Sequence, residues 1–138
     1  MDIDTLVTIG GIFLLLILSG IFSGSETALT AASQPRMHLL QQQGDRRAGI
    51  VTRLFAQREK LIGAILLGNN LVNILASALA TSLMINYFGS RGVLFATVAM
   101  TLLVLIFGEV LPKTYAFYNA DLVALKVAPA FRYIVALL

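Results

Sequence analysis

The stretch LIGAILLGNNLVNILASALATSLMI, Leu61 to Ile85, decides the fold, because it carries no charged residue. Coiled as a helix at about 1.5 Å of rise per residue, it is long enough to cross a hydrocarbon core of about 30 Å. Two further apolar runs lie on either side of it. Leu6 to Phe22 precedes it and continues through Ser23-Gly24-Ser25-Glu26-Thr27 toward Ala32. Gly92 to Phe107 follows it and continues past Gly108. The composition agrees: of 138 residues, 58% are hydrophobic and 12% charged, against about 45–50% and about 25% in an ordinary soluble domain. The expected fold class is an all-α membrane protein, one transmembrane domain over residues 1–138. Its three transmembrane helices are expected at about 6–32, 61–86 and 92–117.

Between the first two runs the composition changes. Gln34 to Lys60 carries Arg36, Arg46, Arg47, Arg53, Arg58 and Lys60 against Asp45 and Glu59. The stretch Gln41-Gln42-Gln43-Gly44-Asp45 divides it. Leu39-Leu40 and Ile50, Val51, Leu54 and Phe55 give each half an apolar face. Two short amphipathic helices lying on the membrane surface are expected over about 34–59. The positive-inside rule makes this basic segment cytoplasmic, together with Lys113, Lys126 and Arg132. The turn from Asn86 to Arg91 falls outside. So does the N-terminus, Met1-Asp2-Ile3-Asp4, which is too acidic for the n-region of a signal peptide.

Residues 119–138 are interrupted by Asp121, Lys126, Pro129 and Arg132. They read as a further cytoplasmic juxtamembrane helix, broken near Pro129. The ending Ala136-Leu137-Leu138, without a polar tail, reads as a truncation that removes a following domain.

Several chemistries are excluded. There is no cysteine, hence no disulfide and no thiolate metal site. His38 is the one histidine, and it sits among polar residues. No nucleic-acid motif is present. No nucleophile–base pair has catalytic spacing, so an enzyme is not expected.

Three places put polar groups where lipid or neighbouring helices belong. In Ser23-Gly24-Ser25-Glu26-Thr27, glycine loosens the helix and the serine hydroxyls compete for backbone bonds, so a break at Gly24 is expected to release carbonyl oxygens. Glu26 adds a charge that needs a partner or water; the plainer alternative is a small-residue packing motif. In Gly68-Asn69-Asn70-Leu71-Val72-Asn73, three amides stand in an apolar helix, with Asn70, Asn73 and Ser77 on one face. Interhelical hydrogen bonding is the plainer alternative there. In Gly108-Glu109-Val110-Leu111-Pro112-Lys113, the proline ring is expected to free the carbonyl four residues back, that of Gly108, beside the Glu109 carboxylate. A Glu109–Lys113 pair at i, i+4 is the alternative. Hydroxyl, amide, carbonyl and carboxylate are all hard oxygen donors, suited to Mg²⁺, Ca²⁺ or Na⁺. Three neighbouring helices can gather them around one cavity open to the cytoplasmic side.

These three motifs, in this order and spacing, resemble the transmembrane domain of the CorC/cyclin M family of Mg²⁺ transporters. The resemblance covers nearly the whole chain. It implies a homodimer in the plasma membrane, multi-pass, that exports Mg²⁺ driven by Na⁺ influx, with a cytoplasmic CBS-pair regulatory domain following. It places the Mg²⁺ site among Ser23, Ser25, Asn70, Gly108 and Glu109. Glu26, Asn69, Asn73 and Lys113 are candidates for charge pairing or for the coupled ion. Two rival classes use the same residues: a Mg²⁺ channel, and a membrane anchor or sensor in which the polar groups only join helices.

Overall fold

The computed structural model describes residues 3–137, and among these every regular element is helical. Met1, Asp2 and Leu138, on which the readings of the two chain ends partly rest, lie outside the described residues. The chain runs through α1 (Ile3–Ala31), α2 (Gln34–Gln42), α3 (Arg46–Ala56) and α4 (Arg58–Phe88). A single 3₁₀ turn, Gly89–Arg91, leads into α5 (Gly92–Leu103). A π-helical segment, Val104–Val110, then joins α5 to α6 (Leu111–Tyr118), and α7 (Ala120–Leu137) closes the chain.

Two helical runs are long and apolar enough to cross a membrane, Ile3–Ala31 and Arg58–Tyr118. The second is a hairpin. Its chain reverses at Gly89, which has φ +66, a value that L side chains avoid. The arms close on Gly92, where an added Cβ would collide with the backbone of Met84 and Ile85. Against α1, the arm α4 runs antiparallel: Thr5 Oγ1 lies 3.0 Å from the Tyr87 hydroxyl, and Ser19 meets Asn69 far down the pair. The other arm runs parallel to α1, with Gly20 against Phe107 and Pro112, then Gly24 against Pro112 and Ala116.

Two apolar clusters hold the rods. Ile12, Leu16, Ala76, Ala80 and Met100 form one toward the hairpin tip. The other gathers the opposite ends of the rods, through Ala28, Leu29, Leu61, Ile65 and Ala116, with a collar of α2, α3 and α7. Outside these clusters the rods present Leu14, Leu67, Ile74, Leu94 and Phe107 as exposed apolar side chains. Water does not tolerate so continuous an apolar girdle, and lipid does.

The collar follows its sequence signals closely. Ser33 caps α2, accepting from the Arg36 amide, and Asp45 caps α3, accepting from the amides of Arg47 and Ala48. Gly44, at φ +95, makes the break between them. The buried faces are Met37 on α2 and Ala48, Val51 and Leu54 on α3; Leu39 points outward. Asp121, at the start of α7, accepts from the Ser33 amide at 2.9 Å and pairs with Arg36 at 3.4 Å. It thereby ties α7 to the α1–α2 corner.

Two expected breaks do not form. Helix α1 runs unbroken through Gly24, which faces Pro112 and Ala116; a Cβ there would sit at ordinary contact distance, 3.4 Å from the Pro112 carbonyl oxygen. Helix α7 runs unbroken through Pro129. Its buried positions Ala124, Leu125, Ala128, Phe131 and Val135 follow helical spacing on both sides of the proline. Packing on α1 and α3 therefore holds the helix across the one missing hydrogen bond.

Glycines at these contacts should be intolerant of side chains. Gly20→Leu, whose Cβ meets Pro112 Cγ at 3.0 Å and the Phe107 carbonyl oxygen at 3.2 Å, should cost about 1–3 kcal/mol by overpacking. Gly92→Ala should open the hairpin tip. Gly10→Ala, with nothing within 4 Å, should be neutral or slightly stabilising. Thermal unfolding in detergent orders the three.

Candidate functional site

A polar layer lies between the two apolar clusters, where α1, α4 and the π segment meet. Ser19, fully buried, donates its hydroxyl to Asn69 Oδ1 at 2.9 Å. Asn73 Nδ2 donates to the same oxygen at 3.4 Å. Gly108 closes the layer: a Cβ there would stand 2.9 Å from Ser19 Oγ, so only glycine lets this backbone sit on the serine.

Ser23 follows Ser19 by one turn and shares its face. It is 1% exposed, and its Oγ has no protein partner. Asn73 Oδ1 is likewise buried without a protein partner. Both are hard oxygen acceptors left unmatched in apolar surroundings, a state that costs about 1–3 kcal/mol per group unless a ligand or water satisfies it.

The proline break takes a form that spacing alone does not give. The chain widens into a π turn before Pro112, and the Leu111 amide bonds the Ile106 carbonyl, five residues back. In that register the amide missing at Pro112 leaves the Phe107 carbonyl without its donor, where an α-helix would have left Gly108. Glu109 is half-buried on the same turn and Lys113 is exposed. No ion pair joins them among the described residues, whose salt bridges are Arg36–Asp121 and Arg47–Asp45.

The expected residues therefore divide. Asn69, Asn73 and Gly108 come together around Ser19, with Glu109 next to Gly108 in the chain. Ser23 stands one turn further along α1, on the Ser19 face but on the side of Ser19 away from Asn73. Ser25 is fully buried with an unpartnered Oγ, but it stands two residues from Ser23 and so on another side of α1. It lines a cleft of about 330 Å³ with Gly24, Pro112, Ala116 and Val127. Asn70 is exposed on the outer side of α4, because Asn69 takes the inward position of that turn. Glu26 is half-buried and makes no ion pair among the described residues. Ser19 is the residue the sequence reading missed. Its signal was the spacing Ser19, Ser23, Glu26, a polar stripe at i, i+4, i+7 on one face of an apolar helix.

The model of the cyclin M transmembrane N-terminal domain matches residues 10–138. The chain belongs to the cyclin M transmembrane family. Among curated proteins it is 45% identical over 107 residues to the UPF0053 inner membrane protein YfjD of Escherichia coli, covering 78% of this chain and 25% of that protein. It is 41% identical over 109 residues to a UPF0053 protein of Haemophilus influenzae, covering 79% of this chain and 26% of that one. A chloroplastic DUF21 domain-containing protein of Arabidopsis thaliana is 36% identical over 110 residues, with 80% and 17% covered. The chain thus spans about a quarter of the length of the bacterial relatives it matches. The membrane character read from the apolar runs is that of this family, and the polar layer lies inside the cyclin M match.

The Ser19–Gly108 contact should behave as a unit. Gly108→Ala should push Ser19 off Asn69 and lower stability by about 1–3 kcal/mol. Ser19→Ala alone should cost less, on the order of 0.6 kcal/mol, as is usual for hydrogen bonds between membrane helices. The double variant should be more stable than Gly108→Ala alone, because the clashing oxygen is gone. Additive losses in thermal unfolding would refute this packing.

Proposed function

We propose that this cyclin M domain is the membrane part of a Mg²⁺ transporter, carrying Mg²⁺ from the collar side to the hairpin side, driven by Na⁺ influx. The observation that carries the reading is the pair of buried oxygens without a protein partner, Ser23 Oγ and Asn73 Oδ1, on either side of the Ser19–Asn69 contact. They lie in a bundle whose third rod carries Glu109 next to Gly108 and a proline-disrupted π turn. Mg²⁺ takes oxygen ligands in octahedral geometry, keeps several waters, and is usually held by one or two carboxylates. One carboxylate among neutral oxygens fits a cargo that must also leave. The amide oxygen available inside the chain is that of Asn73; Asn70 reaches the layer only if α4 turns about its axis.

In this reading the bundle crosses the membrane three times, by α1, α4 and α5–α6. Charge supports the orientation. Of the 10 Lys and Arg residues, Arg91 stands at the hairpin tip and the other nine stand on the collar or the rod ends that join it. The collar is then cytoplasmic, the N-terminus outside, and the protein multi-pass in the plasma membrane. The protein works as a homodimer, with a cytoplasmic regulatory domain attached.

Glu109→Gln should abolish Mg²⁺ binding in calorimetry while the thermal transition is kept; unchanged binding would remove Glu109 from the site. Mg²⁺ flux in proteoliposomes should depend on a Na⁺ gradient. Na⁺-independent flux faster than a carrier cycle would make the protein a channel. No Mg²⁺ binding at all would leave an anchor or sensor.

A further inference from the structure

Helix α3, with Arg132 of α7, Gln41 of α2 and the Gly44–Asp45 turn, lines an open pocket of about 460 Å³ on the collar, away from the polar layer. Three guanidinium groups line it: Arg46 and Arg53, seven residues apart on one face of α3, and Arg132 of α7. None of the three makes an ion pair among the described residues. Arg132 donates to the Tyr133 hydroxyl at 3.0 Å and stands 4.9 Å from that ring, contacts that hold it without neutralising it. Asp45 is the one carboxylate on the lining, and it is already engaged: its Oδ1 caps α3 through the amides of Arg47 and Ala48 and meets Arg47 Nε at 3.7 Å.

Three unneutralised cations on one concave wall repel one another, and an anion relieves that repulsion. Arginine's planar fork matches phosphate oxygens in particular. The opposite face of α3, through Ala48, Val51 and Leu54, is buried in the collar core, so the arginine-bearing face cannot turn away. Gly49 and Ile50 give the floor of the pocket apolar character between the charges.

Its level in the molecule indicates the source of the phosphate. Phe131, next to Arg132, packs edge-on against Phe22 of α1 with ring centroids 6.0 Å apart. Phe22 is the last residue of the apolar run of α1, before Ser23-Gly24-Ser25-Glu26. Arg132 therefore stands where apolar surface gives way to polar, the height of lipid headgroups. We propose that Arg46, Arg53 and Arg132 form a binding site for a phosphate group, presented by an anionic lipid whose acyl chains run along the apolar rods. This site is independent of the transport reading and requires no Mg²⁺.

Purified full-length protein in neutral detergent would be titrated with phosphatidylglycerol, phosphatidylcholine or sodium phosphate, following thermal stability and bound lipids by native mass spectrometry. Phosphatidylglycerol should raise the melting temperature and remain bound; phosphatidylcholine should do neither. Each of Arg46→Gln, Arg53→Gln and Arg132→Gln should weaken the apparent affinity about fivefold, and the triple variant about a hundredfold. Arg91→Gln, at the far end of the bundle, should behave as the wild type. The single variant Arg53→Gln, exposed on α3, keeps the test decisive if the triple variant does not fold. An equal phosphatidylglycerol effect in wild type and Arg53→Gln overturns the site. An equal effect of millimolar sodium phosphate would keep the phosphate site and overturn the lipid as its source.

Discussion

Two backbones come close where Gly20 and Gly24 of α1 meet Phe107, Pro112 and Ala116, and a side chain on Gly20 would press on Pro112 and the Phe107 carbonyl. Most of what distinguishes this bundle follows from that approach. With α1 held against the proline, Pro112 cannot swing its helix outward as prolines do in isolated kinks. The extra length is taken up instead by the π turn at Val104–Val110. That turn carries Gly108 onto Ser19, and Ser19 onto Asn69. A contact between two small surfaces thereby sets the position of every polar group in the layer.

The layer also explains why the core comes in two clusters. Apolar side chains from α1, α4 and α5 fill the hairpin half, and the collar fills the other. Between them stand hydroxyls and amides, which add little dispersion and need partners. A bundle selected for stability alone would carry leucine or alanine here. The collar offsets the loss by adding the buried faces of α2, α3 and α7 to the half of the bundle away from the hairpin tip.

The sequence made some of this plain and hid the rest, for physical reasons. Run length and charge reported the apolar rods and the two collar helices, with the Gln41–Asp45 stretch marking the break between those two. The three motifs named the neighbourhood of the polar layer. Which asparagine faces inward was hidden: α4 is apolar nearly all round, so its pattern does not distinguish one face from another, and Asn69 turns in where Asn70 was expected. The continuity of α1 at Gly24 and of α7 at Pro129 was hidden for a related reason. Local propensity favours a break at each, and tertiary packing, which lies outside any local window, overrides it. At Pro112 the disruption was legible but its form was not, since a π turn and a simple kink answer the same missing amide.

The seat of Gly92 on the backbone of Met84 has a mechanical consequence. It pins α4 and α5 together at one end and leaves them joined only by side chains at the other. Glu109 lies seventeen residues from that pin, a lever arm of roughly 25 Å at helical rise. Thr97, five residues away, has an arm of roughly 7.5 Å. A small rotation about the hairpin tip therefore moves position 109 about three times as far as it moves position 97, and the polar layer lies well out along the arm, where such tilting is amplified.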